Sequence, residues 1–388
     1  MSTLKNLIKS ASHPSELKAL LKFSISEKPK QGEINLAEAA LTRSDMAFCF
    51  DALTKVSRSF AIVIQQLPQE LKEAVGIFYL VLRGLDTVED DMELDETEKE
   101  RLLRNFYKSC YLSDFTLTGI GDTEDYRLLL QHFDKVTRSF IQLKPEYKEV
   151  ISDICFRMGN GMADSGSYKI TTIQDYDIYC HYVAGLVGQG LSQLFSASGF
   201  EEEGLASEMT IANSMGLFLQ KTNITRDFLE DFDVNRIFWP TEIWEKHHQE
   251  LSLFKLMPES STSLKGLNCM IEDAIRHLPD CINYLSQLQN MQIFRFCAIP
   301  QLMAIATLVE LYDNPEVFRK NVKIRKGLSA KIMMETRDFE STKQMMLHFI
   351  EELEEKMQDS KNTPATMWGS ICQIKLALGQ RLTNPIIF

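Results

Sequence analysis

Several features that would place this chain in a common protein class are missing from its sequence. There is no excess of positive charge, because 42 Lys and Arg residues stand against 54 Asp and Glu residues and the formal net charge at pH 7 is −12. A protein this acidic lacks the basic surface that attracts phosphate backbones and anionic lipids. Nucleic acid and an anionic membrane surface are therefore excluded as its main partners.

Cysteine pairs and histidine clusters at zinc-ligand spacing are also absent. The eight cysteines are scattered through 388 residues, and no two of them form a Cys-x-x-Cys pair. This pattern is typical of reduced core thiols in a cytosolic compartment. No signal peptide opens the chain, and the longest uncharged runs, 180–200 and 296–309, are interrupted or too short to span a bilayer. Both runs are predicted to be buried helices.

Linkers, repeats and breaks in composition are lacking as well. Helical apolar spacing continues from end to end, with 44% hydrophobic and 25% charged residues, as in ordinary globular proteins. The sequence predicts an all-α protein with an arm of short helices over residues 1–45 and one catalytic domain over residues 46–381. Its predicted elements include helices over 97–111, 126–141, 145–168, 175–198, 267–288 and 292–311 and a loop over 249–263.

The most informative stretch present is residues 74–92, AVGIFYLVLRGLDTVEDDM, which predicts a buried helix that ends in acid. Apolar residues cover nearly all of its faces, and Asp86, Glu89 and Asp90 follow at i, i+3 and i+4, so their carboxylates share one face. Like charges repel at this spacing, so a bound cation is expected to hold them. Mg²⁺ fits, because it binds one or two carboxylates together with substrate phosphates.

A second copy of the acidic pattern strengthens this interpretation. Asp227, Glu230 and Asp231 repeat the spacing 141 residues later (227 − 86 = 141), and Gln220 and Asn223 precede them on the same helical run. An acidic helix end is usually only solvated surface. Two copies predict a pair of facing helices that bind a diphosphate through Mg²⁺ and break an allylic C–O bond.

Other residues have two interpretations that the sequence leaves open. Arg58 is either a snorkelling surface arginine or a guanidinium that binds a diphosphate. The basic segment 322–327, VKIRKG, is either a solvated helix end with a glycine cap or a functional turn. Gly159 and Gly161 predict close packing or a ligand against the backbone; without a third glycine or a preceding strand they are not a dinucleotide fingerprint. Tyr182, if buried, needs a hydrogen-bond partner and could relay a proton.

Seven segments in this order resemble those of eukaryotic squalene synthases. They are SRSF at 57–60, FYLVLRGLDTVEDD at 78–91, HYVAGLVG at 181–188, GLFLQKTNITRDFLED at 216–231, FWP at 238–240, FCAIP at 296–300 and VKIRKG at 322–327. The resemblance implies a single-domain isoprenoid synthase fold with helices around a large central cavity. It also implies that two farnesyl diphosphates condense head to head to presqualene diphosphate, which NADPH then reduces to squalene, the first committed step of sterol synthesis.

The resemblance assigns roles to individual residues. The expected Mg²⁺ ligands are Asp86, Glu89, Asp90, Asp227, Glu230 and Asp231. The expected substrate contacts are Arg58, Ser59, Phe60, Arg83, Gln220, Asn223, Arg226, Arg236, Phe296 and Cys297, and Phe60, Leu219, Phe296 and Cys297 are expected to keep water from the carbocations. Tyr182, with Tyr79 as a second candidate, is expected to accept or relay the proton. NADPH is expected near Ser57, Phe78, Asn223, Lys323 and Arg325, with the last two suited to its 2′-phosphate.

The resemblance also implies a location and leaves two alternatives. Such enzymes usually carry a C-terminal anchor in the endoplasmic reticulum membrane with the catalytic part in the cytosol. We therefore expect a soluble, monomeric truncation, with residues 382–388 starting the linker to the anchor. A phytoene- or dehydrosqualene-type synthase, which uses no hydride donor, is the first alternative, although VKIRKG and FCAIP argue against it. A catalytically silent binding factor is the second, although both acidic clusters are intact.

Overall fold

The computed structural model of the chain describes residues 13, 15–16, 18–20, 39–57, 59–165 and 169–380, and within these residues every regular element is helical. The all-α prediction is thereby confirmed. Arg58, residues 382–388 and most of the predicted arm lie outside the described residues, and so does the side chain of Ser59.

The helices follow one another along the chain with short connections. The α-helices are α1 (Ala39–Ser57), α2 (Ser59–Ile64), α3 (Gln69–Asp90), α4 (Glu96–Ser109), α5 (Glu124–Gln131), α6 (Phe133–Ile141), α7 (Pro145–Ser165), α8 (Ile173–Cys180), α9 (Leu186–Ala197), α10 (Met209–Arg226), α11 (Phe228–Asp233), α12 (Thr241–Trp244), α13 (Ser252–Leu256), α14 (Ser261–Ile275), α15 (Leu278–Gln287), α16 (Met291–Leu311), α17 (Lys326–Glu335), α18 (Phe339–Asp359) and α19 (Met367–Ala377). A π-turn spans His181–Gly185, and 3₁₀ turns span Glu203–Ser207 and Pro315–Phe318.

The chain divides into two compact units, each assembled from separate pieces of sequence. The first unit comprises Gly32–Tyr168 and His181–Asn213, and the second comprises Met1–Gln31, Lys169–Cys180 and Ser214–Phe388. Each unit contains one of the two acidic clusters. The domain boundaries at residues 46 and 381 stay predictions.

Helix α3 is the buried centre of the first unit. It begins after Pro68, which suits a helix start because it has no N–H to leave unpaired. Leu71, Ile77, Leu80 and Leu85 are fully buried, and the helix contacts α1, α4, α6 and α7. The structure therefore confirms the predicted buried helix that ends in acid.

The acid that follows α3 has a structural function. Asp91 Oδ1 accepts hydrogen bonds from the backbone N–H groups of Glu93 at 2.9 Å and Leu94 at 3.1 Å, and its Oδ2 accepts one from Gly121 at 2.7 Å. Gly121 has φ +118°, a conformation that L residues rarely adopt. Asp91 thus ends the helix and fastens the loop before α5, so only the carboxylates before it remain for a ligand.

The sequence left open whether the two glycines of α7 allow close packing or a ligand against the backbone, and the structure distinguishes these interpretations. A Cβ atom built on Gly159 would lie 2.3 Å from the carbonyl oxygen of Leu103 on α4, and one built on Gly161 would lie 2.1 Å from Cδ1 of Tyr182. Both glycines therefore permit close packing. The second of them also makes room for a candidate catalytic side chain.

Four of the predicted elements differ from the structure. The helix predicted over 267–288 is divided at Arg276 and His277 into α14 and α15. The helix predicted over 126–141 is broken at His132, which connects α5 and α6. The helix predicted over 175–198 contains the π-turn, in which one extra residue is accommodated per turn. The loop predicted over 249–263 is wrong in part, since it includes the short helix α13 and the start of α14, whose first turn is capped by the side chain of Ser260.

Helix α16 is the core helix of the second unit. Of the described residues, this helix alone is long and apolar enough to cross a membrane by length and composition, with a mean hydropathy of 1.5 over its best 18-residue window. That window is 78% buried inside the protein. The helix continues through Pro300 and packs against α15, α17 and α18, so it is the buried helix that its apolar run predicts.

Candidate active site

In the first unit, the charged end of α3 places Arg83 between Tyr79 and Asp86. Arg83 Nη2 donates to the phenol oxygen of Tyr79 at 3.3 Å, and Nη1 lies 3.5 Å from Oδ2 of Asp86. Burial alone would lower the pKa of Arg83, but Asp86 and the phenols of Tyr79 and Tyr126 raise it above its ordinary value. The guanidinium therefore stays charged beside the first acidic cluster.

The acidic face of α3 is turned away from the core. Asp86, Glu89 and Asp90 are partly exposed, whereas Thr87 and Val88 between them are buried. This alternation is what the i, i+3, i+4 spacing predicts for carboxylates on one side of a helix. The cluster and Arg83 together offer both signs of charge to a ligand.

Tyr79 is better suited to donate a hydrogen bond than to accept a proton. Burial raises the pKa of Tyr79, and the neighbouring charge of Arg83 only partly opposes this, so the phenol stays protonated at neutral pH. Its oxygen already accepts from Arg83, which leaves the O–H to donate. The ring of Phe60 lies 6.1 Å from that of Tyr79, and Phe60 is 37% exposed.

Tyr182 lies in the π-turn of the first unit. Turns of this kind recur at functional sites because they widen a helix locally and redirect its side chains. The ring of Tyr182 occupies the space left by the missing side chain of Gly161. Next to it, Nδ1 of His181 lies 2.6 Å from Oδ1 of Asn213, a hydrogen bond that fastens the turn. The position of the tyrosine is thus determined by its packing.

In the second unit, the second acidic cluster follows α10 without a break in the backbone hydrogen bonds. The N–H of Asp227 donates to the carbonyl of Asn223 at 2.8 Å, and the N–H of Asp231 donates to the carbonyl of Asp227 at 3.0 Å. These are α-helical bonds, although Asp227 itself separates α10 from α11. Asn223, Asp227 and Asp231 therefore follow each other at one-turn intervals, as their spacing predicts.

Asp227 is held by two residues. Arg226 donates to both of its oxygens, at 2.8 Å to Oδ1 and 2.5 Å to Oδ2, and Asn321 Nδ2 donates to Oδ1 at 2.9 Å. Burial would lower the pKa of Arg226, but Asp227, Glu230 and Asp231 raise it above its ordinary value. Arg226 therefore remains a cation at this cluster. Asn321 was not among the residues that the sequence singled out.

Arg236, a predicted substrate contact, lies at the second cluster. Its backbone N–H donates to the carbonyl of Asp231 at 2.9 Å, its Nε lies 3.9 Å from Oδ1 of the same residue, and its guanidinium lies 5.0 Å from the ring centre of Phe238. The chain that returns here is anchored by packed rings. These belong to Phe228, Trp239, Phe254 and Phe318.

A buried ion network that the sequence did not reveal holds α10 in place. Lys221 is completely buried, and its ammonium donates to Asp177 on α8 and Asp273 on α14. Arg276 binds the same two carboxylates, and the ring of Tyr176 lies 4.8 Å from Lys221 Nζ. Two cations and two anions thus balance within the second unit.

The two residues of the basic segment that are predicted to bind the cofactor differ in their surroundings. Arg325 is already paired, since its Nε and Nη2 donate to Glu16 at 3.1 and 3.0 Å and its Nη1 donates to Glu310 at 3.1 Å. Lys323 is exposed and has no acidic partner within 4.0 Å in the described part of the chain. Arg325 also lines a cavity of about 550 Å³ in the second unit, together with Lys331 and Lys356.

The remaining predicted site residues differ in their exposure. Phe78 is 1% exposed, with its ring against Gly190. Phe296 and Cys297 are buried in α16, and Ser57 donates to the carbonyl of Leu53 at 2.6 Å. The partly or fully exposed residues are Leu219, Gln220 and Asn223. Of the apolar candidates, Phe78, Phe296 and Cys297 thus lie inside their units, whereas Phe60 and Leu219 reach the surface.

The carboxylates fit Mg²⁺ by their chemistry. Across residues 39–57, 59–165 and 169–380, no group of three or more His, Cys, Asp or Glu side chains converges closely enough to hold a metal ion alone. Mg²⁺ does not need such a group, because it is usually held by one or two carboxylates while substrate phosphates and water complete its shell. The hard oxygen donors of both clusters meet that requirement.

Comparison with known proteins places these features in a family. The squalene/phytoene synthase family matches residues 53–327, which include both acidic clusters. The squalene synthase of Rattus norvegicus is 44% identical over 357 residues, or 91% of this chain and 84% of that protein. Squalene synthase BSS of Botryococcus braunii is 45% identical over 361 residues, or 91% and 77% of the two chains.

A solved structure agrees with these sequence relatives. The ligand complex of TcSQS matches with a TM-score of 0.83 and 43% identity, covering 86% of this chain and 98% of the other. The helices of this protein therefore adopt the isoprenoid synthase fold, as the resemblance implies. The chain belongs to the squalene/phytoene synthase family, and the relatives that it matches over most of its length are squalene synthases.

Proposed function

We propose that this protein is a squalene synthase that joins two farnesyl diphosphates head to head into presqualene diphosphate and reduces this intermediate to squalene with NADPH. The observation that carries the proposal is the similarity to squalene synthases over 91% of the chain. The intact acidic cluster in each unit supports it, since a silent relative would not need to keep both.

The charged residues of the clusters suit the departure of diphosphate. Breaking an allylic C–O bond concentrates negative charge on the leaving group, and fixed cations that stand ready for it lower the barrier. Arg83 in the first unit, and Arg226 and Arg236 in the second, are such cations. Mg²⁺, when bound by the carboxylates of the two clusters, would supply further positive charge to the diphosphate.

The two tyrosines divide the remaining work of the first half-reaction. Closing a cyclopropane ring requires a proton to leave carbon, and Tyr182, positioned by the π-turn and Gly161, is the proposed acceptor or relay. Tyr79 is proposed to donate a hydrogen bond to the diphosphate, because its phenol stays protonated. The buried apolar side chains of Phe296 and Cys297 are proposed to exclude water from the carbocations.

Replacing Gly161 with alanine is expected to lower the rate of presqualene diphosphate formation by roughly 10²-fold, as a displacement of about 1 Å at a reacting group can do. The new methyl group would overlap the ring of Tyr182, which must move. Product formation is measured in a single turnover. Gly369→Ala is the control, because no atom lies within 4 Å of a Cβ at that position. Equal rates for the two variants would remove Gly161 and the ring of Tyr182 from the mechanism.

Lys323 is proposed to bind the 2′-phosphate of NADPH, the cofactor that supplies hydride when bound. Lys323→Ala is expected to raise the KM for NADPH about tenfold, because a lost charge-assisted contact of about 1.4 kcal/mol corresponds to a factor of about ten. The KM for NADH should not change, because NADH lacks that phosphate. Steady-state kinetics with both cofactors measures this. The neighbouring exposed lysine provides the control, Lys326→Ala. Equal changes with both cofactors would contradict the assignment.

A product assay tests the function as a whole. The protein is incubated with farnesyl diphosphate and Mg²⁺, with and without NADPH, and the extract is analysed by mass spectrometry. Squalene with NADPH, and presqualene diphosphate without it, is the expected result. Dehydrosqualene or a related polyene formed regardless of NADPH would favour the phytoene-type alternative. No conversion by the folded protein would favour a binding factor.

We also propose that the enzyme is a monomer that acts at the endoplasmic reticulum membrane, with its catalytic helices in the cytosol. The resemblance to squalene synthases supports the location. The negative net charge supports attachment by something other than basic residues on the surface, because anionic lipids repel an acidic protein. Light scattering after size exclusion tests the monomer, and fractionation of cells that express the protein tests the location.

A further inference from the structure

Asn321 of the second unit contacts the second acidic cluster, although it lies far from that cluster in the sequence. Its Nδ2 donates to Oδ1 of Asp227 at 2.9 Å across 94 residues of sequence. Both oxygens of Asp227 are already bound by Arg226, so the asparagine is a second, separate support for this carboxylate. Asn321 directly precedes the basic segment 322–327.

The other half of the Asn321 amide has no partner among the described residues. Its Oδ1 is buried and accepts no hydrogen bond from any described residue. Buried carbonyl oxygens are nearly always satisfied in folded proteins, by protein groups, ordered water or an ion. A purely structural function explains the N–H that Asp227 receives, but it does not explain a carbonyl oxygen left unpaired beside a carboxylate.

The chemistry at this position suits hydrated Mg²⁺. The ion retains several water molecules when carboxylates and phosphates bind it, and each water has protons to donate. A neutral amide oxygen accepts such a proton without adding charge to the cluster. Residues that orient a ligand and its waters in this way are normally part of a metal centre.

We propose that Asn321 is a further residue of the Mg²⁺ site at the second acidic cluster. Its N–H group orients Asp227, and its carbonyl oxygen accepts a hydrogen bond from a water molecule of the Mg²⁺ bound there. The inference rests on the proposed function, because it takes Asp227 as a ligand.

Binding of Mn²⁺, followed by electron paramagnetic resonance in the presence of inorganic diphosphate, tests the inference without relying on turnover. Asn321→Leu, which has nearly the same size but no polar atoms, is expected to weaken Mn²⁺ binding about tenfold. Asn321→Asp, which keeps an oxygen, is expected to bind Mn²⁺ at least as tightly as the unaltered protein. Asn283→Ala, at an exposed asparagine of α15, is the control and should change nothing.

The aspartate variant separates the two explanations. If Asn321 only supports Asp227, a second carboxylate there repels the first, and Asn321→Asp should bind Mn²⁺ more weakly than Asn321→Leu; that order would overturn the proposal. Thermal unfolding in EDTA shows whether each variant is folded, and the aspartate variant decides if the leucine variant is not. Asp227→Asn is measured alongside. Unchanged Mn²⁺ binding in Asp227→Asn would refute the metal site itself. Weakened binding in Asp227→Asn, together with wild-type binding in both Asn321 variants, would refute only the function of Asn321.

Discussion

Asp227→Asn is expected to reduce the conversion of farnesyl diphosphate by about 10³-fold, equivalent to about 4 kcal/mol of transition-state stabilisation. The substitution keeps the shape of the side chain but removes its charge and presents an NH₂ group to a metal ion. It also removes the anion to which Arg226 donates twice. The amide cannot replace these contacts, because it has only one acceptor oxygen. Single-turnover formation of presqualene diphosphate at saturating Mg²⁺ measures the effect.

A nearby aspartate provides the control for this experiment. Asp233 lies six residues further on, is exposed, and pairs with Lys255 at 2.6 Å on the surface. Asp233→Asn removes the same charge from the same unit and should leave the rate within about twofold, because exposed ion pairs contribute little. Circular dichroism must show that both variants are folded. A nearly normal rate in Asp227→Asn would refute the assignment of the second acidic cluster to diphosphate departure.

The largest expected effect on stability follows from Lys221→Met. The substitution leaves the buried Asp273 and the partly exposed Asp177 with one cation, the exposed Arg276, and removing one partner of a buried pair such as Lys221 and Asp273 costs about 3–5 kcal/mol. Unfolding in urea, monitored by circular dichroism, measures the loss. Lys55→Met is the control, since Lys55 pairs with Asp51 on the surface and exposed ion pairs contribute little to stability. A loss of stability no larger than that of the control would contradict the network.

A double variant and a pH series test the cause of this loss. Lys221→Met combined with Asp273→Leu removes one charge of each sign and should recover part of the stability, because apolar replacements of buried pairs are often neutral. Burial would raise the pKa of Asp177, but Lys221 and Arg276 lower it below its ordinary value of 3.8. The ionised folded form is therefore favoured, and this contribution to stability is present above pH 3.8 and lost as the pH falls below it. Lys221→Met should lose part of that dependence, because Arg276 remains beside Asp177.

Local patterns account for what could be predicted from the sequence. The acidic end of α3 depends on residues three and four apart, and the hydrogen bonds from Asn223 to Asp231 depend on one-turn spacing, so periodicity was sufficient for both. The π-turn was missed because one extra residue in a turn leaves the apolar pattern on either side intact. The break at His132 was missed for the same reason.

Long-range contacts account for what could not be predicted. Asn321 meets Asp227 across 94 residues, and Arg325 meets Glu16 across 309 residues. No spacing in the sequence connects such pairs, since only folding brings them together. This affects the interpretation of Arg325. The resemblance predicted that it binds a cofactor phosphate, whereas in the structure it pairs with two carboxylates. Lys323, two residues earlier, then becomes the better candidate.

The division of the chain into two units made of separate segments has a consequence for folding during synthesis on the ribosome. The last residue of the first unit is Asn213, whereas the second unit includes Lys169–Cys180 and everything from Ser214 to Phe388. Domains fold as units while the chain is still being synthesised. When Asn213 is added to the chain, nearly half of the protein is still untranslated. Helix α8 is synthesised before Lys221, the cation that Asp177 of this helix binds, so it cannot complete its contacts until the rest of the second unit has followed.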